Sequence, residues 1–510
     1  MLNAKCSVLL TTEGTYPFAK GGVSTWCHVL TQQLPEINFK LFAIVANPYH
    51  KVHYDLAPNV LEVLKLPLWG TDDPVEYSWR SPFSVALKSK KEVTRDLIQT
   101  QFVPLFASFL QMALLSENET QSNAITKIGE KNHLNRYNPE SFGQLVLAMH
   151  EYFLRYDYHK TMNSPLVWSI FKQLAWDYCQ QEDSLKGVTL AELTTAMRLL
   201  YRFLIAIHVP VPETDITHSS AAAFCGLPCV IAKLQRGTPY LLTEHGINIR
   251  EQYLNLNKSI PSLFVRKFLY RLMGAIVKVN FHFADIITPV CEYNARWERW
   301  WGVPPEKIKV IYNGADPEKF HPTPPVEKER PQVMNMGLIF PLKGQLDLIK
   351  AAVIVREKVP NVEFRFYGKA SDEDYFAQCQ ELVRKHSLEN TINFAGFTSE
   401  PWRAYSEADV VAMASISEGF PFAIIEAMLS GATIVSTDVG GVREAIADTG
   451  LMVRAGNPEQ MAEAILKLLL LPPEERSQYG KKALERSLKL FTQQTFLSEH
   501  LDTYYKLLNI

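Results

Sequence analysis

The chain has 510 residues, of which 47% are hydrophobic and 21% are charged, with 24 Gly and 30 Pro. This composition is typical of a soluble enzyme of two or three domains, and it excludes disordered, collagen-like and coiled-coil proteins. The 52 Lys and Arg against 54 Asp and Glu leave a net charge of −2, so the overall charge favours neither a nucleic-acid nor an anionic-membrane partner.

The chain begins with short apolar runs and one helical pattern. The run Cys6–Thr12 predicts a strand, followed by a glycine-bearing loop and a helix over 22–34. Two further strands are predicted at 39–45 and 60–66. This order of strand, glycine loop and helix is typical of the first unit of an α/β domain.

A different pattern occupies residues 71–210. Long helical periodicity replaces the strands here, at 93–113, 142–156, 166–179 and 190–208. A polar segment at 117–138 has few large apolar residues. We predict a helical insertion with a mobile loop.

The alternation of strands and helices resumes at residue 215. Strands are predicted at 239–243, 285–288 and 309–312, and a Pro-rich charged segment at 320–331 is predicted to be a linker. Six more strands are predicted after it, at 333–337, 362–367, 391–395, 409–414, 433–437 and 451–453. Apolar strands that alternate with helices predict an α/β fold of two doubly wound domains with a cleft between them.

The cysteines and the N-terminus indicate a cellular compartment. The seven Cys are scattered without zinc-site spacing, so we interpret them as buried thiols in a reducing compartment. The segment Met1–Thr12 lacks the charged start and long apolar region of a signal peptide. We therefore predict a cytoplasmic protein.

Two carboxylates eight positions apart, Glu418 and Glu426, follow the predicted strand at 409–414. A helix is predicted to begin near Phe422, where the first backbone N–H groups, including that of Ala423, and the positive end of the helix dipole favour an anion such as a diphosphate. Glu418 and Glu426 could then bind hydroxyls on either side of that anion. The spacing alone leaves open that Glu426 only supports the helix and that Glu418 is solvated.

The same motif carries a family resemblance. The frame from Ser417 to Met428, with Ser436–Gly441 after it, resembles the retaining GT-B-fold glycosyltransferases of family 4. Four further motifs and the helical insertion resemble the PelF-type subgroup that makes Pel exopolysaccharide: Thr12–Pro17, Gly21–Ser24, Thr243–Gly246 and Asn313–Asp316. The resemblance covers nearly the whole chain apart from the loop at 117–138.

This resemblance implies a domain organisation. Residues 1–318 would form an acceptor-side Rossmann-like domain with the helical insertion, and residues 319–490 a second Rossmann-like domain that binds the nucleotide sugar. Residues 491–510 would form a helix that crosses back to the first domain. The two domains would face a cleft, as in the GT-B fold.

Cationic and glycine residues are predicted to bind the diphosphate. Gly21 and Gly22 would bring bare backbone to a phosphate because glycine permits positive φ and has no side chain. Lys343 ends a predicted strand-to-helix loop, where its ammonium could neutralise a leaving diphosphate. The family usually has an arginine where this chain has Leu338, and we put forward Lys20 as a substitute for that missing cation.

Two histidines follow apolar runs in the first part of the chain. In related enzymes the histidine after the strand corresponding to 239–243 contacts the donor sugar, so the resemblance implies that role for His245. His218 ends another apolar run, and the sequence does not decide between a functional and a structural role for it.

Together these features predict a retaining transferase that moves a hexose from a UDP-sugar to a growing exopolysaccharide. His245, Glu418 and Lys343 would act in catalysis, without a metal or other cofactor, and no nucleic acid would bind. An inner-membrane polysaccharide synthase complex is a further candidate partner that would hold the protein at the membrane. Two alternatives stay open, a catalytically weak UDP-sugar-binding scaffold of such a complex and a glucan synthase that uses ADP-glucose.

Overall fold

The computed structural model describes most of the chain, namely residues 6–70, 82–114, 137–324 and 326–509. The chain forms two compact units. The first unit contains the chain up to Thr288, with Glu298–Lys309 and the C-terminal end from Thr503, and the second contains Pro289–Trp297 and Val310–Asp502. The predicted mobile loop lies outside the described residues, apart from Tyr137 and Asn138.

The first unit is built on a six-stranded sheet. Its strands are β1 (Ser7–Glu13), β2 (Asn38–Val45), β3 (Val60–Pro67), β4 (Ile216–Ser219), β5 (Tyr240–Glu244) and β6 (Ile286–Pro289). They lie in the order β3-β2-β1-β4-β5-β6, and the pairs from β3 to β5 are parallel. This is the strand order of the dinucleotide-binding Rossmann fold.

Helices of the first unit include a large insertion between β3 and β4. Outside the insertion the unit contains α1 (Gly22–Gln33), α8 (Leu227–Arg236), α9 (Asn248–Ser259) and α10 (Leu263–Phe283). The insertion contains α2 (Phe83–Glu92), α3 (Arg95–Leu114), α4 (Pro139–Arg155), α5 (Tyr158–Met162), α6 (Pro165–Gln180) and α7 (Leu190–Phe203). The predicted helical insertion is therefore present in the described residues.

Helix α3 is long and apolar enough to cross a membrane by length and composition alone. About 44% of its most apolar window is buried within the fold, where Phe102, Phe106 and Phe109 pack in the core. A core helix of a soluble protein has the same composition, so one such helix is weak evidence for a membrane span.

The second unit repeats the architecture of the first. Its strands are β7 (Gln332–Met336), β8 (Glu363–Tyr367), β9 (Ile392–Gly396), β10 (Val410–Met413), β11 (Ile434–Thr437) and β12 (Leu451–Val453). The order is β12-β11-β10-β7-β8-β9, and all five neighbouring pairs are parallel. The predicted α/β fold with two Rossmann-like units is confirmed, including all six predicted strands of this second sheet.

Helices cover both faces of the second sheet. They are α12 (Gln345–Lys358), α13 (Glu373–Lys385), α14 (Pro401–Glu407), α15 (Phe422–Leu429), α16 (Val442–Ile446), α17 (Pro458–Leu469) and α18 (Pro473–Leu490). Alternate residues of β7 and β10 belong to different hydrophobic clusters: Val333 and Ala412 pack in one, and Met334 and Val411 in the other. Such two-sided burial explains why these strands read as continuous apolar runs. Two boundaries between the units fall within helices, namely α11 (Glu292–Trp300) and α19 (Gln493–Leu507).

Three features differ from the sequence prediction. Strand β4 was not predicted, and the predicted strand at 309–312 is wrong, because in this region only an isolated bridge between Ile287 and Ile308 forms. The Pro-rich segment at 320–331 lies inside the second unit, where Phe320 is buried and Lys328 pairs with Asp409 at 2.7 Å.

Residues 310–318, which the sequence placed in the first domain, also lie in the second unit. The backbone of Ala315 bonds to both Phe491 and Gln493, and the Asn313 side chain donates to the Phe420 carbonyl at 2.7 Å. These contacts fix residues 313–315 to the second unit, even though they precede the Pro-rich segment in the chain.

Candidate active site

The candidate site of the second unit lies where the strand order of its sheet reverses. Strands β7 and β10 are neighbours there, although two other strands separate them in the chain. Ligands of open α/β sheets bind outside the carboxyl ends of the strands at this switch point. The loops 337–344 and 414–421 leave from those two ends and carry Lys343 and Glu418.

Lys343 and Glu418 meet at this switch point. The Lys343 ammonium donates to Glu418 Oε1 at 2.5 Å, and the Ser415 hydroxyl donates to the same oxygen at 2.6 Å. The two charged side chains are 25% and 14% exposed, so solvent can still reach the pair. The structure thus brings together two predicted site residues and adds Ser415, which sequence reasoning missed.

The loop that carries Lys343 closes against β10. Lys343 ends a short 3-10 turn at Pro341–Lys343, and Gly344 follows with a φ of +64°. A Cβ at Gly344 would lie 2.0 Å from the carbonyl oxygen of Ala414. Only glycine therefore permits this turn to approach β10 and to aim Lys343 at Glu418.

The loop after β11 supports the backbone of the loop that carries Glu418. The Thr437 hydroxyl donates to the Ser415 carbonyl at 2.6 Å, and the Gly441 N–H donates to the Gly419 carbonyl at 2.7 Å. Gly440, with a φ of +57°, lies so close that a Cβ would be 1.9 Å from the Glu418 carbonyl oxygen. The motif Ser436–Gly441 thus fixes the position of Glu418.

We expect Gly440→Ala to displace Glu418. The new methyl group overlaps a backbone carbonyl, so the loop must shift, and a shift of about 1 Å at the carboxylate expected to act in catalysis costs on the order of 100-fold in turnover. Gly456→Ala is the matched control because Gly456 has a φ of +70° with nothing within 4 Å of its Cβ position. Urea unfolding and turnover of both variants provide the measurement, and equal losses in the two would contradict this role.

Helix α15 begins at Phe422, as predicted, after the N-cap residue Pro421. Phe422 and Ala423 are half-buried at its first two positions, where backbone N–H groups have no partner within a helix. The first turn contains no acidic side chain that would compete with a bound anion.

Glu426 lies one turn into α15. The Tyr405 hydroxyl donates to its Oε2 at 3.1 Å. Burial raises the pKa of Glu426 to about 7, and the charge of Lys319 opposes that rise. Glu426 therefore changes its charge near neutral pH. Tyr405 precedes it by 21 residues, and no local sequence signal reveals this contact.

Leu338, at the position where an arginine was expected, is 43% exposed. Lys369 lies beside it on the same edge of the sheet, because the N–H of Ile339 donates to the Lys369 carbonyl at 2.9 Å. The Lys369 side chain is exposed, and its ammonium lies 5.8 Å from the centre of the Phe397 ring. Sequence reasoning missed this second cation, since it lies 31 positions after Leu338 in the chain.

The two histidines of the first unit have different surroundings. His218 is fully buried in β4 and uses both ring nitrogens, bonding to the Tyr504 hydroxyl at 2.7 Å and to Thr243 at 2.8 Å. It is a satisfied core histidine. His245 follows β5, is half-buried and packs edge-on against the Trp26 ring, with the ring centres 4.8 Å apart.

Gly21 and Gly22 lie where β1 leads into helix α1. Both are exposed, and a Cβ on either would meet nothing within 4 Å. The expected positive φ is wrong, because Gly21 is extended, with a φ of 163°, and Gly22 begins the helix. The two glycines nevertheless leave open space beside the backbone. Lys20, directly before them, is exposed.

Two carboxylates that were not predicted, the half-buried Glu13 and the buried Glu244, fix the loop after β4. Glu13 accepts from the Cys225 N–H at 3.2 Å, and Glu244 accepts from the Ala222 N–H at 2.5 Å. Burial raises the pKa of both carboxyl groups, that of Glu244 to about 8. They end β1 and β5, the strands on either side of β4, so they hold this loop at the switch point of the first sheet.

Family comparisons agree with this two-unit architecture. Residues 6–306, more than half of the chain, match the family described as Domain of unknown function (DUF3492). The chain belongs to the DUF3492 family. In this DUF3492 protein, residues 316–486 also match the family Glycosyl transferases group 1, which places a glycosyltransferase domain of GT-B type in the second unit.

Several similar proteins are described as glycosyltransferases or as synthases of sugars. A trehalose synthase from Pyrococcus horikoshii is 31% identical over 195 residues, which cover 36% of the DUF3492 protein and 45% of that enzyme. The match thus spans less than half of the length of that relative.

Solved structures share the fold over nearly the whole chain. Sucrose-phosphate synthase from Thermosynechococcus elongatus has a TM-score of 0.60 at 16% identity and covers 99% of both chains. HepE from Anabaena, in complex with UDP and glucose, has a TM-score of 0.56 at 15% identity and covers 98% of this chain and 99% of its own. Sequence identities of this size establish only that these proteins share a fold with the chain.

Proposed function

We propose that the DUF3492 protein is a retaining glycosyltransferase that moves a hexose from a UDP-sugar to a growing exopolysaccharide of the Pel type. The contact between Lys343 and Glu418 at the switch point of the second sheet carries this proposal. It lies within the Glycosyl transferases group 1 match, which makes a sugar nucleotide the class of donor that we favour. The HepE complex with UDP and glucose supports the choice of UDP.

The diphosphate of the donor would bind at the start of helix α15. Its negative oxygens would accept from the N–H groups of Phe422 and Ala423, which the helix leaves without partners. Lys343 would exchange its contact with Glu418 for a phosphate oxygen and stabilise the charge that builds up on the leaving diphosphate. Glu418 would then accept hydrogen bonds from hydroxyls of the hexose.

Glu426 would accept hydrogen bonds from the ribose hydroxyls on the other side of the diphosphate. Tyr405 orients its carboxylate through the hydrogen bond at 3.1 Å. In this proposal Lys343 and backbone N–H groups carry the diphosphate, so no metal is required. We expect turnover to be unchanged in EDTA, as no divalent cation takes part in the step.

A nucleotide screen tests the proposal directly. Thermal shifts with UDP, ADP and GDP, followed by calorimetry, measure binding, and radiolabelled UDP-hexoses measure transfer and the anomeric configuration of the product. We expect UDP to bind most tightly; a hundredfold excess of ligand over Kd stabilises the fold by about 2.7 kcal/mol. Absence of nucleotide binding, or inversion of the anomeric centre, would overturn the proposal.

The same screen separates the alternatives. Tight UDP binding without transfer to any acceptor would support a scaffold of a polysaccharide synthase complex, for which the exposed Leu338 is the favouring observation. Preference for ADP would support a glucan synthase.

A cytoplasmic location, and recruitment to an inner-membrane synthase complex, are further parts of the proposal. Fractionation of cells that express the tagged protein measures both.

A second cation is expected to replace the arginine that is missing at Leu338. Lys369 lies beside that position in the structure, and Lys20 is the candidate from the sequence. Loss of one preorganised donor typically costs about 3 kcal/mol, or roughly a hundredfold in rate. We expect such a loss in either Lys369→Ala or Lys20→Ala, and wild-type turnover in both variants would show that one cation is sufficient.

A further inference from the structure

A cavity of about 410 Å³ lies in the helical insertion of the first unit. Trp69, which follows β3, helices α5 and α7 and Trp168 of α6 form its walls. Small-molecule sites commonly have volumes of about 300–1,000 Å³. None of the residues that we assign to the donor site belongs to these walls, so the cavity is a separate feature.

One face of helix α7 supplies most of one wall. Thr194, Met197, Arg198 and Tyr201 repeat at intervals of three and four residues, so they share a face of the helix, and Arg202 follows them. Arg198 is exposed, and among the described residues it has no ion-pair partner. This helix therefore presents a cation to the cavity.

Aromatic rings form the other walls. Trp69 is 41% exposed, and the Arg202 guanidinium lies 5.6 Å from its ring centre. Trp168 is half-buried and stacks on Phe171, with the ring centres 6.1 Å apart. Indole faces pack against the apolar faces of sugar rings, and the guanidinium beside Trp69 suits a planar acidic group.

A row of polar groups links these walls. His159 Nδ1 lies 3.1 Å from the Tyr201 hydroxyl and 3.1 Å from the Asn163 amide nitrogen, and it bonds to one of these two groups at a time. The Tyr158 hydroxyl donates to the Tyr201 carbonyl at 2.5 Å and anchors α5 to α7. The row is therefore held in place before any ligand binds, and it offers donors and acceptors to several hydroxyls.

The charge of the side chains that line the cavity narrows the class of ligand that it can bind. The described residues that line the cavity include Arg198 and Arg202 but no carboxylate. Fork-shaped guanidinium groups bind carboxylates and phosphates through two parallel hydrogen bonds. We propose that this cavity is a second saccharide site, which binds a pyranose bearing a carboxylate or phosphate. The proposal stands independently of the function assigned to the second unit.

Calorimetry of the full chain with four sugar or phosphate probes, and with UMP as a nucleotide, tests the proposal. Glucuronate and glucose 1-phosphate supply a ring with an acidic group, glucose supplies the ring alone, and inorganic phosphate supplies the charge alone. We expect the two acidic sugars to bind at least about tenfold more tightly than either glucose or phosphate. Equal binding of glucose and glucuronate, or of phosphate and glucose 1-phosphate, would refute the assignment. Equally tight binding of UMP that depends on Arg198 would reassign the cavity to a nucleotide.

Variants locate the binding. Arg198→Gln removes an exposed cation and is expected to weaken glucuronate binding about tenfold. Thr194→Trp places an indole at the cavity wall and should abolish binding. The matched control Arg155→Gln changes an exposed arginine of the same insertion that does not line the cavity, and Lys343→Ala changes the proposed donor site. Both should leave glucuronate binding unchanged, whereas a loss in Lys343→Ala alone would assign the signal to the donor site.

Discussion

Lys343→Ala is expected to lower turnover by about 100-fold while the protein stays folded. The variant removes the ammonium that contacts Glu418, and with it the charge proposed to stabilise the leaving diphosphate. Glu418 keeps its hydrogen bond from Ser415, so the loop retains a fixed carboxylate. Because solvent still reaches the pair, its removal should change the free energy of unfolding by less than the roughly 3–5 kcal/mol that breaking a fully buried pair costs.

Steady-state kinetics with a UDP-hexose, together with urea unfolding, measure these two effects. Lys350→Ala is the matched control, since Lys350 lies in helix α12 of the same unit with a 52% exposed side chain and pairs with Asp347. If Lys343→Ala and Lys350→Ala had the same turnover, the switch point of the second sheet would not be the catalytic site. A loss of turnover with unchanged UDP affinity would assign Lys343 to the transition state rather than to ground-state binding.

Glu426→Gln is expected to make the protein more stable at pH 8 and less able to bind UDP. Burial raises the pKa of this carboxyl group from 4.5 to about 7, so the folded state holds the proton more tightly than the unfolded state. The contribution of Glu426 to the free energy of unfolding is therefore greatest below pH 4.5, falls as the pH rises to about 7 and is constant above that value. A shift of this size corresponds to roughly 3 kcal/mol at pH 8.

The Gln variant removes this pH dependence because the amide is neutral at every pH and can still accept from Tyr405. Urea unfolding at pH 4.5 and pH 8 measures the gain, with Glu463→Gln, at an exposed position of helix α17, as the control. A gain that is equal at the two pH values would show that titration of Glu426 is not its cause.

The affinity for UDP should have the opposite pH dependence. Below about pH 7 the protonated carboxyl group loses an acceptor for the ribose hydroxyls, so wild-type affinity should fall by up to about tenfold per pH unit. In Glu426→Gln the affinity should be low and independent of pH. Calorimetry between pH 5.5 and pH 8.5 gives both profiles, and a flat wild-type profile would remove Glu426 from the binding site.

Local sequence patterns were sufficient for the fold class and for the frame of the site. The strands of the second sheet are buried on both faces, so their apolar runs are continuous and each is visible without knowledge of its neighbours. Helix α15 begins at Phe422 as predicted, because a run of apolar residues after Gly419 and Pro421 marks a helix start. Chain order alone also placed Lys343 and Glu418 at the carboxyl ends of strands.

Strand β4 shows where local patterns fail. It has four residues, including His218 and two hydroxyl side chains, so the apolar run that ends at His218 is too short and too polar to mark a strand. It is nevertheless fully buried at the centre of the first sheet, since the polar ring of His218 is satisfied by Tyr504, 286 residues further along the chain. The same limit explains why the strand predicted at 309–312 is wrong, because an apolar run becomes a strand only where a neighbour is available to pair with it.

The sequence by itself determined that this chain is α/β, where most of its strands lie and which residue types stand at their carboxyl ends. Only the tertiary structure decided which of those residues meet: Lys343 with Glu418 and Ser415, Tyr405 with Glu426, and Lys369 beside Leu338. The tertiary structure also raised the pKa of Glu426, because burial depends on packing by helices that are distant in sequence. Periodicity is a local property of a chain, whereas contact and desolvation are properties of its folded neighbours.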